Sequence, residues 1–305
     1  MCILLSSCEH PDYPFVLLSN RDEYFARPTA LADFYSENRE ILAPFDLARS
    51  EHGTWIGVNR HGRLCVLVNY REGSAENDAL SLISRGSLPI SFLNSSLNPR
   101  EWEAHVREVS KEFKNVGGFS LLFGDLRLGA GGVIEPFNII SNRAQGSVEV
   151  FKPETRMIGL SNSLFTQPWP KVQKGKVLLD KLISDSLQNN WSQDELITRG
   201  FEVLSTTEID TTKKPDSYLE LFKEMPSSIF IPPIKTPHFG MEEELKKQGI
   251  TSMGGYYGTR TQTIIVVDRS GNLKYIEKTL HSSDNLNEEP TIRTYAFKIP
   301  DYYKG

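Results

Sequence analysis

Cys2 is the residue through which this sequence could do covalent chemistry. Removal of Met1, which a small second residue permits, would make Cys2 the N-terminus and set its thiol beside its own α-amine. A free α-amine, with a pKa of about 7.7–8.0, suits a general base near neutral pH, so one residue would supply nucleophile and base. A cysteine at position 2 also arises by chance, and a small buried thiol is the alternative. Cys8 and Cys65 complete an odd set with no CxxC spacing, which indicates neither a zinc site nor a disulfide scaffold and points to a reducing compartment, most simply the cytosol. The six histidines, at 10, 52, 61, 105, 238 and 281, have no metal-ligand spacing, and no metal is expected.

A chain of 305 residues can bury a large core, so size does not limit what these residues can be built into. Thirty-four Lys and Arg against 39 Asp and Glu give a net charge of −5, with no basic run longer than a pair. A nucleic-acid partner or an electrostatically held membrane surface is therefore not expected. No stretch approaches the roughly 18 apolar residues of a membrane span, and MCILLSSCEH lacks the basic and long apolar regions of a signal peptide. Any membrane association would go through a partner or a loop.

The elements that must position Cys2 begin with β structure. Cys2–Ser7 and Pro14–Asn20 read as a hairpin, as do Thr54–Val58 and Leu64–Asn69 around Asn59-Arg60-His61-Gly62. Asn98-Pro99-Arg100-Glu101 opens a helix over 99–113, with Trp102, Val106, Val109 and Phe113 on one face. Gly118–Leu122, Val133–Ile140, Val148–Phe151 and Met157–Leu160 return to strand character. Lys171–Leu187 and a capped helix from Ser192 to about Leu204 form a helical hairpin. Five prolines and little periodicity make 206–258 a long surface excursion within a single 1–305 domain. Strands from Gln262, over Leu273–Thr279 and over Ile292–Ile299 close an α+β chain of antiparallel sheets covered by helices.

Leu18-Ser-Asn-Arg-Asp-Glu-Tyr-Phe-Ala-Arg-Pro28, Gly53-Thr-Trp-Ile-Gly57, Val68-Asn-Tyr70, Gly159-Leu-Ser-Asn162 with Pro168-Trp-Pro-Lys171, and Tyr257-Gly-Thr-Arg-Thr-Gln-Thr263 occur in this order. Together they resemble the NRDE proteins, the transport-and-Golgi-organisation family. The resemblance implies an N-terminal-nucleophile (Ntn) hydrolase-like fold, a four-layer αββα sandwich of antiparallel sheets. It also implies a more distant likeness to bile-salt hydrolases and penicillin V acylases, which cleave amides with an N-terminal Cys, a nearby Arg and Asp, and Asn side chains around the oxyanion.

Carried onto this sequence, Cys2 matches the nucleophile. Asn69 ends a strand about where such enzymes place an oxyanion donor, and Asn162 could orient the α-amine or substrate; both could equally cap a strand end or turn. Such hydrolases carry Arg-x-x-Asp, whereas Arg21 and Asp22 are adjacent here. In a strand Asn20 and Asp22 face one way and Arg21 and Glu23 the other, so both pairs address Cys2 only with a bulge or turn. Arg21 near the thiol would favour thiolate, with Asp22 holding Arg21 or the α-amine; an ion-paired strand end is the alternative. Arg260 could pin an anionic substrate group or be a solvated turn residue. Trp55 and Tyr70 could each line an apolar pocket or fill the space between the sheets, with core filling favoured for Trp55.

Two functions of different class follow. One is an N-terminal-cysteine hydrolase acting on an amide or thioester of a small acylated molecule. The other is a non-enzymatic carrier or adaptor with haem or an acyl chain in the same pocket. No cofactor is required, haem entering only as a ligand, and no Cys-Pro haem motif is present. The family resemblance implies secretory-pathway and Golgi organisation, with links to haem trafficking and lipid metabolism. It places the protein in the cytoplasm, peripheral to Golgi, endoplasmic reticulum or mitochondria.

Overall fold

The computed structural model describes residues 1–71, 83–109, 116–129, 131–210, 223–236 and 255–303. Its N-terminal strand β1 (Ile3–Ser7) lies between β10 (Met157–Ser161) and β2 (Phe15–Tyr24). This first sheet continues through β12 (Gly255–Val267), β13 (Asn272–Thr279) and β14 (Thr291–Lys298), with β11 (Ile234–Thr236) also paired to β12. The second sheet is an antiparallel meander of β3 (Thr29–Phe34), β4 (Ile41–Asp46), β5 (Ile56–Asn59), β6 (Arg63–Asn69), β7 (Phe119–Asp125), β8 (Phe137–Ser141) and β9 (Ser147–Val150).

Strand alternation sorts the apolar residues into three layers of core. Leu4, Phe15, Leu17, Ile265 and Val267 of the first sheet meet Val66, Val68, Leu122 and Ile139 of the second. Their neighbours Ile3, Leu5, Val16, Leu18, Ile264 and Val266 face outward beneath α3 (Pro170–Gln188) and α4 (Gln193–Leu204). On the opposite side Cys65, Leu67, Phe119 and Phe123 pack under α1 (Ser87–Asn94) and α2 (Pro99–Val109). The result is the αββα sandwich that the family resemblance implies.

The two expected hairpins and the α3/α4 pair form as anticipated, and the Ser192 side chain accepts the Glu195 N–H as its N-cap. The helix expected over 99–113 is described to Val109, its remainder falling outside the described residues. Strands β3 and β4 and helix α1 were not anticipated. The segment 206–258 is only partly within the described residues, and those are not confined to the surface. Ile209, Met225, Ile231 and Ile234 are buried, and β12 starts inside the expected excursion.

Between the sheets, the Ala32 N–H of β3 donates to Glu277 Oε1 of β13 at 2.8 Å, while Glu277 Oε2 is buried with no hydrogen-bond partner. Burial pushes this carboxyl up to about 7 from its ordinary 4.5. The folded state therefore holds a proton that the unfolded state releases. The associated stability is complete below about pH 4.5 and is lost as pH rises through about 7, by up to roughly 3 kcal/mol. Urea unfolding at about pH 5 and about pH 8 should show a falling midpoint in the natural protein and a much flatter profile in Glu277→Gln. Parallel profiles for the two proteins would show that Glu277 does not carry this linkage.

Candidate functional site at the N-terminus

Cys2 lies at the entry to β1, where the Ser161 hydroxyl of β10 donates to its carbonyl at 2.7 Å. The thiol is partly exposed, 4.0 Å from the Asp22 carbonyl oxygen, and opens into a cleft of about 360 Å³ between the ends of the two sheets. Cys8 and Cys65 are buried, and burial pushes Cys8 up to about 11 and Cys65 well above the usual thiol range.

Asp22 is the centre of the arrangement. Its Oδ1 accepts the Thr259 hydroxyl at 2.7 Å, and its Oδ2 faces the Met1 ammonium at 3.4 Å and Lys171 Nζ at 3.8 Å. Lys171 also donates to the Met1 carbonyl at 2.5 Å, and the Met1 ammonium donates to the Tyr257 hydroxyl. Burial pulls both amino groups below their ordinary values, with Asp22 opposing the shift in each case. Burial likewise pushes the Tyr257 hydroxyl well above its usual range.

The alternation expected of the Asn-Arg-Asp-Glu tetrad holds, and a bulge accompanies it. Across from β2, the register of β12 shifts between Thr259 and Thr261, which sets Thr259 opposite Asp22 and Thr261 opposite Arg21. Arg21 turns toward the second sheet, its guanidinium carbon 4.0 Å above the Trp55 ring and its Nη2 3.4 Å from Glu23 Oε2. Asn162 stitches the sheets together at the cleft: its Nδ2 donates to the Asn69 carbonyl at 2.6 Å, and its own carbonyl accepts the Arg71 N–H at 2.9 Å.

The cleft gathers Cys2, Arg21, Asp22, Glu23, Asn69, Tyr70 and Asn162 in its lining. Two expected residues are elsewhere. Asn20 faces the helical layer, where its Nδ2 donates to the carbonyls of Leu204 and Ile229 at 2.8 and 2.9 Å. Arg260 is buried at the bulge and donates to the carbonyls of Arg27 and His281 and to the Thr29 hydroxyl. Burial, with Arg21 adding to it, brings its guanidinium down to about 10, and it pins backbone rather than a ligand. Trp55 takes both of its expected places, packing on the core and forming cleft wall beneath Arg21.

Lys171 was missed, although its motif was noticed. It is the second residue of α3, after a proline at N1, where the helix dipole disfavours a cation. A fully buried lysine in that position requires the carboxylate and carbonyl found against it. Tyr257 and Thr259 sit in the motif from which Arg260 alone was selected.

A family model described as Transport and Golgi organisation 2 matches residues 1–282. The chain belongs to that family. The human and mouse homologues of Transport and Golgi organization protein 2 are each 31% identical over 94% of this chain and 93% of their own length. An uncharacterised Saccharomyces cerevisiae protein is 28% identical over 98% of this chain and 97% of its own. Among solved structures, a mutant conjugated bile acid hydrolase from Clostridium perfringens aligns over 98% of both chains at 11% identity and a TM-score of 0.37. A Caenorhabditis elegans N-acylethanolamine-hydrolyzing acid amidase ortholog aligns over 75% of this chain and 98% of its own, at 10% identity and a TM-score of 0.36. No helix among the described residues is long and apolar enough to cross a membrane.

A short pulse of limiting iodoacetamide at about pH 7 should alkylate Cys2 ahead of Cys8 and Cys65 by more than about tenfold, since only Cys2 is reachable and the other thiols are held protonated. Peptide mapping reads the order. Labelling led by Cys8 or Cys65 would remove Cys2 from any catalytic role.

Proposed function

We propose that this member of the family is an N-terminal-cysteine hydrolase that cleaves an amide or thioester of a small acylated molecule once Met1 is removed. The observation that carries the reading is a partly exposed Cys2 thiol that opens, with Asp22, into one cleft, the fully buried Lys171 standing 3.8 Å from the same Asp22 carboxylate. Met1 is only 8% exposed, so its removal belongs to the nascent chain, before the fold closes over it.

In the processed chain the Cys2 amine is the base nearest the thiol. Asp22, whose charge opposes burial at the Met1 ammonium, is the carboxylate available to that amine. The amine takes the thiol proton as sulfur adds to the acyl carbon, and Lys171 and the Asn69 side chain are the donors available to the developing oxyanion. The carbon–nitrogen or carbon–sulfur bond of the substrate then breaks, and the leaving group takes its proton from the ammonium. Water, deprotonated by the same amine, attacks the thioester on Cys2, releases the carboxylic acid and restores the thiol. Asn162 acts as a positioning residue through its bond to the Asn69 carbonyl.

Arg21, Arg27, Arg49, Arg71 and Arg85 line the cleft against three carboxylates, Asp22, Glu23 and Asp46. In a chain of net charge −5 this local excess of positive charge favours a substrate with an anionic group. No histidine is among the described lining residues of the cleft, so a haem carried there would be held through sulfur, that of Met1 or Cys2. The Golgi-organisation role carried in the family name would then be a cellular consequence of turnover at this site.

Cys2→Ala removes the nucleophile and leaves the cleft nearly unchanged. Turnover of acyl-amide or acyl-thioester substrates should vanish while their binding persists. Cells lacking the protein should not be rescued by the Cys2→Ala form at normal expression. Full rescue by a folded Cys2→Ala protein would replace the hydrolase with a carrier or adaptor.

A further inference from the structure

The position of Met1 bears on what the acyl group looks like. Its side chain belongs to an apolar cluster with Ile209, Met225, Ile231 and Ile234, against which Trp169 and Tyr257 also pack. Arg71 Nη1 lies 3.4 Å from Met1 Sδ, so a guanidinium stands at the far end of that side chain. At the near end, the Met1 carbonyl takes the Lys171 ammonium at 2.5 Å, next to Cys2. A carbonyl bonded to the Cys2 nitrogen, held by a buried cation and followed by an unbranched side chain in an apolar slot, has the outline of an acyl group on the residue that would accept it.

We propose that the slot filled by Met1 becomes, once Met1 is removed, the acyl subsite of the enzyme, and that it takes a short, straight-chain acyl group. This rests on the hydrolase reading above. From carbonyl carbon to Cε the methionine residue runs through Cα, Cβ, Cγ and Sδ, so the matching acyl group has about six chain atoms, that of a hexanoyl chain. Lys171, deprived of the Met1 carbonyl, keeps Asp22 and presents its ammonium to the incoming acyl oxygen. Chains longer than the slot run into Arg71. The four apolar neighbours come from the region between α4 and β12, which gives that insertion a part in choosing the substrate.

The test uses the full chain after intact mass has been measured, with p-nitrophenyl esters of straight acids from acetyl to dodecanoyl as the probe. Sulfur of Cys2 forms a bond to the acyl carbon, the ester carbon–oxygen bond breaks, p-nitrophenolate leaves, and the thiol proton passes through the amine to solvent. Acylation of Cys2 should accelerate by about threefold to fourfold per methylene up to about six carbons and then fall. Ile234→Ala should move the optimum to longer chains and Ile234→Phe to shorter ones. Should Ile234→Phe fail to fold, as read by circular dichroism, Ile234→Ala alone decides. Acylation that is independent of chain length, or an optimum unmoved by a folded Ile234 variant, overturns the subsite and leaves the thiol chemistry standing. A retained Met1, or no acylation of Cys2 by any ester, overturns both the subsite and the hydrolase reading.

Discussion

The structure around the N-terminus depends on one buried carboxylate. Asp22 is enclosed with two amino groups and a hydroxyl, from the chain terminus, α3 and β12. Taking a carboxylate and a lysine out of water costs several kcal/mol per ion, recovered only when partners are close and the remaining polar atoms are satisfied. Because those partners come from three separated stretches of sequence, the ion cluster fixes where the first residues of the chain lie relative to the rest of the sheet. Removing Asp22 would leave two buried amino groups without their carboxylate, a more damaging state than losing the ions together.

Such a cluster is poorly explained by stability alone. Well-packed apolar residues would hold the same strands at no desolvation cost, and the surrounding layers consist of such residues. Lys171 adds a helix-dipole penalty to its burial. The expense falls at the place where the chain offers a reachable thiol, and burial lowers the proton affinity of both amines there. Groups whose protonation is perturbed by burial and a specific charge partner, in a cleft, are where acid–base chemistry concentrates.

How much of this was legible in the sequence follows from the range of each signal. Hairpins with tight turns, the Ser192 cap and the apolar stripe of α3 are local, and they formed where periodicity placed them. Strands β3 and β4 were not, because Thr29–Phe34 mixes exposed and buried positions and its pairing with β4 is broken by a register shift between Ala30 and Asp33. Helix α1 has no side-chain cap and a proline in its body, so nothing announces it. In the site, the alternation of Arg21 and Asp22 could be read from strand geometry, but which face met the helices and which met Trp55 depended on pairings hundreds of residues apart. Arg260 and Asn20 show the opposite failure: each sits in a motif with functional residues, yet its N–H donors go chiefly to backbone carbonyls.

The two sheets contribute differently to the cleft, and that division bears on the family's chemistry. The first sheet supplies Cys2, Arg21, Asp22 and Tyr257 from strands β1, β2 and β12, held rigid by direct antiparallel pairing of β2 with both others. The second sheet supplies Trp55, Asn69 and Tyr70 near the ends of β5 and β6, joined to the first through the bond of Asn162 to the Asn69 carbonyl and the stacking of Arg21 on Trp55. The Asp22 cluster thus belongs to the first sheet and α3, and the second sheet forms the facing wall. Change in the second sheet or in the stretch between α4 and β12 can therefore reshape the cleft without disturbing the Asp22 cluster. Under the proposed hydrolase reading, a protein of this fold could keep Cys2 and its ions while accepting a different acyl group, because the residues that fix the thiol and those that bound the cavity are joined by few bonds.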